Sequence, residues 1–516
     1  STNAWVAGQR VRYAVEARRP ADALAAAAAC RGSDVWCLDL RGVAHHLAGH
    51  PAESAAAFDS ADALRTPAER CAWNDVAPWL EPGAARAYHR LACGSAERAR
   101  WESRFWQLAQ PFWLLPVNDL RNEWHARRVM VRVHGAGANP YGMSWGDDLD
   151  ECEIRYGWPT AWSTRDFRGA TMYALSPDPG RGVTGWEPAP SYDWIPRGGS
   201  LDPARRGVAD VPDRAWTLRP PPNDAPTPMR YAPAYAEGGV GTPTHQTARF
   251  VHGDTAVVVA AYDASRDSLW SEGRTPPSLS AGLFLVGDSG AVTAADRRDS
   301  ASRAGALVVR APAIVGSSRT EESERASSAP HWLLGLEILQ RDTVHTADGR
   351  RVLGRALRDR APLRPIGAGA PLSDLLLLRH SPGPTPTFDD AIDSAAGSLT
   401  IRRGSTMGLY WEQYRDTSAG VLRDTALAAS DTIVITATRL TRSLRERIAG
   451  ALGRGSVDRP IGLRYPDPGS ASAGRAIGIS WPDVAAGDYR LDVTLVPATP
   501  GRQPATTSVV VHVTED

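Results

Sequence analysis

Residues 34–48 read Asp-Val-Trp-Cys-Leu-Asp-Leu-Arg-Gly-Val-Ala-His-His-Leu-Ala, and this stretch predicts a helix near the start of the chain. Its apolar side chains recur at the spacing of one helical face, and Asp34 is a favoured N-cap residue. After a break at residues 49–51, residues 52–64 repeat the pattern. Two short amphipathic helices joined by a tight turn form an antiparallel hairpin. The sequence therefore predicts a helical domain built from such hairpins.

The hairpin resembles a tetratricopeptide repeat, with a Gly in its first helix and Phe58 as a knob in its second.

The same reading of hydrophobic patterns, applied to the whole sequence, divides the chain into parts. We expect five: a helical hairpin domain at 1–134, a helical and aromatic junction at 135–175, a Pro-rich extended arm at 176–244, and antiparallel β-sandwich domains at 245–385 and 386–516. The predicted fold class is α+β, multi-domain.

The β prediction rests on short apolar strands that follow one another closely from residue 245 onward, separated by Gly, Pro and Asp turns. Strands at this density, with few helices, are typical of β-sandwiches. Residues 487–489, Gly-Asp-Tyr, enter a predicted strand in the position of the tyrosine corner of an immunoglobulin-like sandwich. We therefore expect the second β-domain to be immunoglobulin-like.

Composition excludes several classes of partner. The chain has 516 residues and no Lys, so Arg supplies all 58 basic side chains, and 58 Asp and Glu residues balance them. A net charge of zero provides no basic field to hold nucleic acid or an anionic membrane by charge alone. No apolar run approaches the roughly 18–20 residues of a membrane span. We expect no nucleic-acid partner and no transmembrane span.

Four of the five Cys residues lie symmetrically about two predicted turns. They are Cys30 and Cys37, on either side of residues 32–34, and Cys71 and Cys93, on either side of Pro82. Residues at equal distance from the turn of a helical hairpin lie side by side, near the Cα spacing of about 5.5 Å that a disulfide needs. Two disulfides predict an exported, periplasmic protein. The alternative is four buried thiols that pack as small apolar groups.

The arm at 176–244 holds 14 of the 40 Pro residues and shows no helix or strand period. A disordered linker is normally poor in aromatic residues, whereas this arm carries Trp186, Tyr192, Trp194, Trp216, Tyr231 and Tyr235. Pro lowers the entropy of the unbound chain, and aromatic side chains bury large areas on contact. We therefore interpret these six side chains as partner-binding residues. The alternative is an arm wrapped on the chain's own domains.

Residues 287–290, Gly-Asp-Ser-Gly, look like the nucleophile segment of trypsin-like proteases. The motif stands between two strand patterns, the next residue is Ala291, and no upstream segment supplies a His base. A catalytic triad needs nucleophile, base and orienting acid together. The sequence therefore predicts a hairpin turn here.

Three other clusters also lack the pattern their chemistry requires. The Gly-rich residues 135–142 include Pro140 and precede no clear helix, so a phosphate or dinucleotide site is not predicted. The acids of residues 147–153 lack the alternation of a calcium loop. Adjacent His45 and His46 point to different helix faces, which argues against a metal site. We expect no catalytic, metal or cofactor site and no cofactor.

Residues 154–162, Ile-Arg-Tyr-Gly-Trp-Pro-Thr-Ala-Trp, and residues 162–166, Trp-Ser-Thr-Arg-Asp, resemble the exported GWxTD-domain proteins, as do the Cys-paired helical start and the β C-terminal half. In size, layout, a start at Ser1 that suggests processing, and lack of spans, the chain is also similar to the large membrane-extrinsic subunit of double-ring bacterial photosystems. That resemblance implies a non-catalytic clamp, without pigment, that braces a type 2 reaction centre inside its light-harvesting ring.

The sequence thus predicts a non-enzymatic structural subunit, periplasmic and peripheral to the membrane, that braces a membrane protein complex. If the photosystem resemblance holds, its partners are reaction-centre and antenna polypeptides. One alternative is a free-standing periplasmic or cell-surface protein that binds peptide or glycan. Another is a hydrolase with its site in the β half, where His252, His331 or His345 would lie beside an acid.

Overall fold

A computed structural model of the chain describes most of its residues. They are 3–137, 146–158, 162–166, 181–185, 192–196, 201, 216, 218, 229–236, 239–266, 278–312, 332–340, 344–345, 351–352, 356–363, 366, 370–383, 386–414, 431–440, 461–467, 473–498 and 503–515. The chain forms two compact units. The first, called the helical unit, comprises Ser1–Gly241, Asp288–Ala291 and Leu339–Ala361. The second, called the β unit, comprises Thr242–Gly287, Val292–Ile338 and Pro362–Asp516.

Helices fill the N-terminal part of the chain. They are α1 (Ala4–Glu16), α2 (Pro20–Ala28), α3 (Asp34–Leu47), α4 (Pro51–Leu64), α5 (Pro67–Trp73), α6 (Pro82–His89), α7 (Ala96–Ala109), α8 (Asp119–Gly135) and α9 (Asp147–Tyr156). Pro stands in the first turn of α2, α4, α5 and α6, where its missing N–H has no intrahelical acceptor to lose. Residues 129–133, which the sequence left open between helix and strand, continue α8.

Side chains cap several of these helices. Asn3 accepts hydrogen bonds from the backbone N–H groups that begin α1, and Asn118 does the same for α8. Thr66 and Glu69 form a reciprocal capping box at the start of α5. Each cap satisfies a backbone donor that would otherwise have no partner at the helix end. The caps therefore fix where the chain turns between helices.

One hydrophobic core joins α1, α2, α3, α4 and α8. Within it, α3 and α4 approach so closely that a Cβ on Gly42 would lie 2.4 Å from the Phe58 ring. The Ser54 hydroxyl also donates to the Gly42 carbonyl, at 2.9 Å. Trp158, from the Gly-Trp-Pro segment after α9, packs against the same core. The helix hairpin at residues 34–64 is therefore a tightly packed pair.

Strands dominate the C-terminal part. They are β1 (Trp162–Asp166), β2 (Arg181–Gly185), β3 (Val240–Gly241), β4 (His245–His252), β5 (Thr255–Asp263), β6 (Leu279–Val286), β7 (Val292–Ala301), β8 (Ala304–Pro312), β9 (Trp332–Gln340), β10 (Val344–His345), β11 (Arg351–Val352), β12 (Ala356–Leu363), β13 (Leu376–Leu378), β14 (Thr400–Arg402), β15 (Thr406–Glu412), β16 (Thr432–Arg439), β17 (Ile461–Pro466), β18 (Gly474–Ser480), β19 (Gly487–Val496) and β20 (Ala505–Thr514). A short helix, α10 (Phe388–Asp393), precedes β14. The predicted α+β class is confirmed.

The β unit is layered. A central sheet, in the order β13-β15-β18, contributes alternate residues to two different cores. Leu377, Leu409 and Trp411 belong to the core shared with the five-stranded sheet β14-β20-β19-β16-β17. Leu376, Leu378 and Tyr410 belong to the core shared with the sheet β4-β5-β8 and with α10. Successive strand side chains point to opposite faces, so a central sheet covered on both faces is apolar on both.

This layering crosses the boundary predicted at residue 385. Phe250 and Val257 come from one predicted domain, Tyr410 and Ala476 come from the other, and all four share a core. Of the strands longer than five residues, the sequence analysis also missed two, β12 and β17. Their few apolar residues, interrupted by Arg, Gly and Pro, give no clear alternation. In the part of the chain described, no helix combines the length and hydrophobicity needed to cross a bilayer.

Candidate functional site

Both predicted disulfides are present in the helical unit. Cys30 and Cys37 have a Cα separation of 5.5 Å, and Cys71 and Cys93 have one of 6.1 Å. Cys152 is exposed on α9 and belongs to neither bridge. Disulfides persist in oxidising compartments, so these two are consistent with an extracellular or periplasmic protein.

The described aromatic residues of the arm pack inside the helical unit. Tyr192 and Tyr231 pair through their backbones, with N···O distances of 3.0 and 2.9 Å. The Trp194 indole donates to the Tyr231 carbonyl at 3.1 Å, and the ring of Trp194 meets Phe112 edge to face. The Tyr192 hydroxyl accepts from the backbone N–H of Val240 at 2.8 Å. The two ends of the arm thus pair with each other, and Trp194 packs on the chain's own helical unit.

These contacts favour the alternative of an arm wrapped on the chain's own domains, and partner binding by the arm stays a prediction. Tyr192, Trp194, Trp216 and Tyr231 are buried, Trp194 with only 1% of its surface exposed, and Tyr235 is half-buried. Aromatic rings that fill their own chain's core are not presented to a partner in this conformation. Burial of several large rings, with hydrogen bonds for their hydroxyl groups, stabilises the arm on its own chain without a partner. Trp186 lies outside the described residues.

An acid on α8 fastens the arm. The hydroxyls of Tyr231 and Tyr235 both donate to Asp119 Oδ2, at 3.2 and 2.8 Å. We call these three residues the arm latch. Burial raises the pKa of the Asp119 carboxyl to about 6, although the hydrogen bond from Tyr235 and the nearby His46 oppose that shift. Its second oxygen, Oδ1, is buried and has no hydrogen-bond partner among the described residues.

One turn further along α8, a charged network joins the helices to the arm. Glu123 accepts from Arg127 at 2.6 Å and lies 2.6 Å from His46 Nε2. Burial alone would raise the pKa of Glu123, but the Arg127 charge and the His46 contact outweigh it and lower the pKa to about 2. Arg127 also donates to the Arg230 carbonyl at 2.6 Å. A fully buried ion pair of this kind is costly to break.

Guanidinium groups fasten a second segment to the helical unit. Arg358 Nη1 donates to the Pro111 carbonyl at 2.9 Å, and Arg360 Nη1 donates to the Leu108 carbonyl at 3.0 Å. Arg360 also stacks over Trp113, 3.5 Å from the ring centre. The planar, forked guanidinium can bond carbonyls and cover an indole at once, which Lys cannot do. This role of Arg was not predicted from composition.

In the β unit, a buried carboxylate gathers three polar rings. Glu412 accepts hydrogen bonds from the hydroxyls of Tyr410 and Tyr414, both at 2.9 Å, and its Oε1 lies 3.0 Å from His252 Nε2. We call these four residues the Glu412 cluster. Burial, and then the Glu412 charge, raise the pKa of both Tyr hydroxyls well above the usual range. The signal in the sequence is an acid within the apolar strand β15.

The Glu412 cluster contains a His and an acid, the base and orienting group that a hydrolase would need. No nucleophilic Ser or Cys belongs to the cluster. The His252 imidazole touches the Phe388 ring, and its only hydrogen-bonding partner among the described residues is Glu412. Ser289, in the protease-like motif, accepts from Ala291 within a tight turn, as predicted. His331 lies outside the described residues, and only the backbone of His345 is described. Across the described part, no three His, Cys, Asp or Glu side chains are placed to share a metal ion.

Among the described residues, one edge of the five-stranded sheet in the β unit has no neighbouring strand. Its last strand, β17, pairs only with β16 in the described part of the chain. Ile461 and Leu463 lie opposite Ala437 and Ile435, so they continue the apolar inner face of the sheet. Yet 38% of Ile461 and 45% of Leu463 is exposed. Within the described part of the chain, this edge therefore presents unpaired backbone groups beside exposed apolar side chains.

Comparison with known proteins does not identify a family. No family model and no curated protein matches the chain. Among solved structures, it is similar to trypsin-activated alpha-2-macroglobulin from Escherichia coli, with 12% identity, a TM-score of 0.16 and coverage of 57% of this chain and 18% of that one. It is also similar to a beta-glucuronidase from Parabacteroides merdae, with 10% identity, a TM-score of 0.18 and coverage of 51% and 28%. The chain spans less than a third of either protein, and likenesses this weak carry no argument.

Proposed function

We propose that this chain is a non-catalytic, exported structural protein that holds a partner protein at the free edge of β17. The observation that carries the proposal is the open inner face of that strand. Ile461 and Leu463 stand in register with core residues of β16 and remain exposed. Exposed apolar surface that continues a core is typical of a surface covered by another protein.

The partner that fits is an extended segment with apolar side chains at alternate positions. Such a segment would add to β17 as a sixth strand, because the unpaired N–H and C=O groups of an edge supply its main-chain hydrogen bonds. Its inward side chains would pack on Ile461 and Leu463, which lie on the core side of the sheet. The exposed Arg464, which alternates with them on the opposite face, favours an acidic residue there.

The β unit gives this edge a rigid base, because its central sheet is covered on both faces. Two disulfides brace the helical unit. The tetratricopeptide likeness, the immunoglobulin-like sandwich and the periplasmic, membrane-peripheral location belong to the same proposal. Tyr489 supports the sandwich, because its hydroxyl donates to the Ala485 carbonyl at 2.8 Å, as in a tyrosine corner. The resemblance to a photosystem subunit makes a reaction centre within its light-harvesting ring the first partner to test.

The test is co-purification from native membranes in mild detergent, followed by a density gradient at high salt. We expect the chain to migrate with near-infrared-absorbing complexes, since apolar contacts resist screening by salt. Leu463→Asp should abolish this co-migration. Val510→Asp is the matched control, because Val510 is equally exposed, at 49%, on β20 of the same sheet. Migration of the wild-type chain alone would overturn the proposal, and equal behaviour of the two variants would exclude β17 as the contact.

A hydrolase remains the second candidate, favoured only by the contact between His252 and Glu412. A half-exposed imidazole oriented by a buried carboxylate is one component of a general-base site. Replacement His252→Ala should abolish any hydrolytic activity found in a substrate screen. Activity that survives this change would exclude the Glu412 cluster as its source.

A further inference from the structure

A solvent-open depression of about 450 Å³ lies in the β unit, at the far end of β5 from the Glu412 cluster. Its lining includes small residues, among them Ala304, Gly305, Ala396 and Gly397. Its charged lining consists of Asp263, Arg298, Arg379 and Asp393. The volume falls within the range of about 300–1,000 Å³ that is usual for small-molecule sites.

A close approach of two backbone segments forms part of this depression. Gly397 passes so close to the end of β5 that a Cβ there would lie 2.6 Å from the Tyr262 carbonyl group. Tyr262 also lines the depression, and its hydroxyl donates to the Ser302 carbonyl at 3.0 Å. A larger residue at position 397 would push the two segments apart. The concavity is therefore built into the packing of the β unit.

Among the described residues, each of the two Arg side chains has an acceptor for only one of its nitrogen atoms. Arg298 donates through Nη2 to Asp296 at 3.3 Å, and Arg379 donates through Nη2 to the Asp393 carbonyl at 2.5 Å. In the described part of the chain, neither Nε nor Nη1 of either residue has a protein acceptor. The Asp393 carboxylate likewise accepts no hydrogen bond from the described residues. Cationic donors and an anionic acceptor thus line one depression, each available to a ligand.

We propose that this depression binds a small zwitterion, with its carboxylate on Arg298 and Arg379 and its ammonium group on Asp393. Guanidinium groups bind carboxylates through paired, charge-assisted hydrogen bonds. Two Arg and two Asp residues give the lining no net charge, which favours a ligand that is itself neutral overall and carries both signs. A free amino acid and a short peptide with unblocked ends share this chemistry.

The test is isothermal titration calorimetry of the full chain with two probes, L-alanine and the tripeptide Ala-Ala-Ala. We expect at least one probe to bind, and Arg298→Gln and Arg379→Gln each to weaken its binding about tenfold or more. Arg310→Gln is the matched control, since Arg310 is exposed on β8 and does not line the depression. Thermal unfolding of each variant establishes that the fold is retained. Binding of alanine alone identifies a free amino acid as the ligand, and binding of the tripeptide alone identifies a peptide.

Blocked peptides separate the two halves of the proposal. Amidation of the C-terminus of Ala-Ala-Ala should remove the contribution of Arg298 and Arg379, and acetylation of its N-terminus should remove that of Asp393. Absence of measurable heat with both probes at millimolar concentration would overturn the proposal. So would binding that is unchanged in both Arg variants. No residue of β17 lines the depression. Neither result of this test therefore bears on the partner contact proposed for the edge of β17.

Discussion

Asp119 shows how one buried carboxyl can make a contact depend on pH. It is enclosed by the arm it fastens, and burial raises its pKa to about 6, while an unfolded chain releases the same proton near pH 4. The folded state therefore keeps the proton over a range where the unfolded state has lost it. The stability linked to that proton is present below about pH 4 and is lost as the pH rises through 6.

Replacement of Asp119 by Asn should remove this pH dependence. A shift of about two pKa units corresponds to a loss on the order of 3 kcal/mol in the free energy of unfolding between pH 4 and pH 7. Urea unfolding across that range should show a smaller fall for the variant than for the wild-type chain. Asp39, whose pKa burial also raises to about 6, contributes equally to both curves. Parallel curves would contradict the assignment to Asp119.

Glu123 should behave in the opposite sense. Its pKa lies near 2, so its contribution to stability is present above about pH 4.5 and is lost as the pH falls toward 2. Glu123→Gln leaves Arg127 and His46 without their shared carboxylate, and we expect it to cost about 3–5 kcal/mol at pH 7 in urea unfolding. The control is Asp59→Asn, which removes a surface ion pair with Arg121 and should cost no more than about 1 kcal/mol. Similar losses in both variants would refute the argument from burial.

At the scale of the element, the packing of α3 on α4 depends on a missing side chain. Gly42→Ala places a methyl group within 2.4 Å of the Phe58 ring, so the helices must separate or the ring must move. We expect a loss of about 1–3 kcal/mol in thermal or urea unfolding. Gly83→Ala is the control, because a Cβ in α6 at that position meets nothing within 4 Å. That change should be neutral or stabilising by up to about 1 kcal/mol, and equal effects would exclude the close contact.

For the whole molecule, the position of the disulfides predicts two separable unfolding transitions. Both bridges lie in the helical unit, and the β unit holds no Cys. Reduction should therefore lower the stability of the helical unit alone, with the bridge that closes 22 residues worth about 3 kcal/mol. Circular dichroism at 222 nm should report that shift, while loss of the β signal occurs at an unchanged midpoint. One transition that shifts as a whole would contradict the prediction.

The sequence predicted most of what depends on local pattern. Periodicity located α3, α4 and nearly all longer strands, and symmetric spacing about two turns located both disulfides. Contacts between distant segments could not be predicted in this way. His252 meets Glu412 across 160 positions, and Tyr235 meets Asp119 across 116. The aromatic composition of the arm indicated that its rings bury a large area on contact. Composition alone could not predict whether those rings pack against this chain or against another protein.

The backbone pairing of Tyr192 with Tyr231 closes the chain between them into a loop with a fixed base. The entropy of closing such a loop grows only slowly with its length, by about 0.6 kcal/mol for each doubling. The pairing therefore costs little additional entropy however many residues separate its two members. A single cut between the paired tyrosines should yield two fragments that stay together until the chain is unfolded, because Trp194 on one side and Tyr235 on the other keep their contacts with the helical unit.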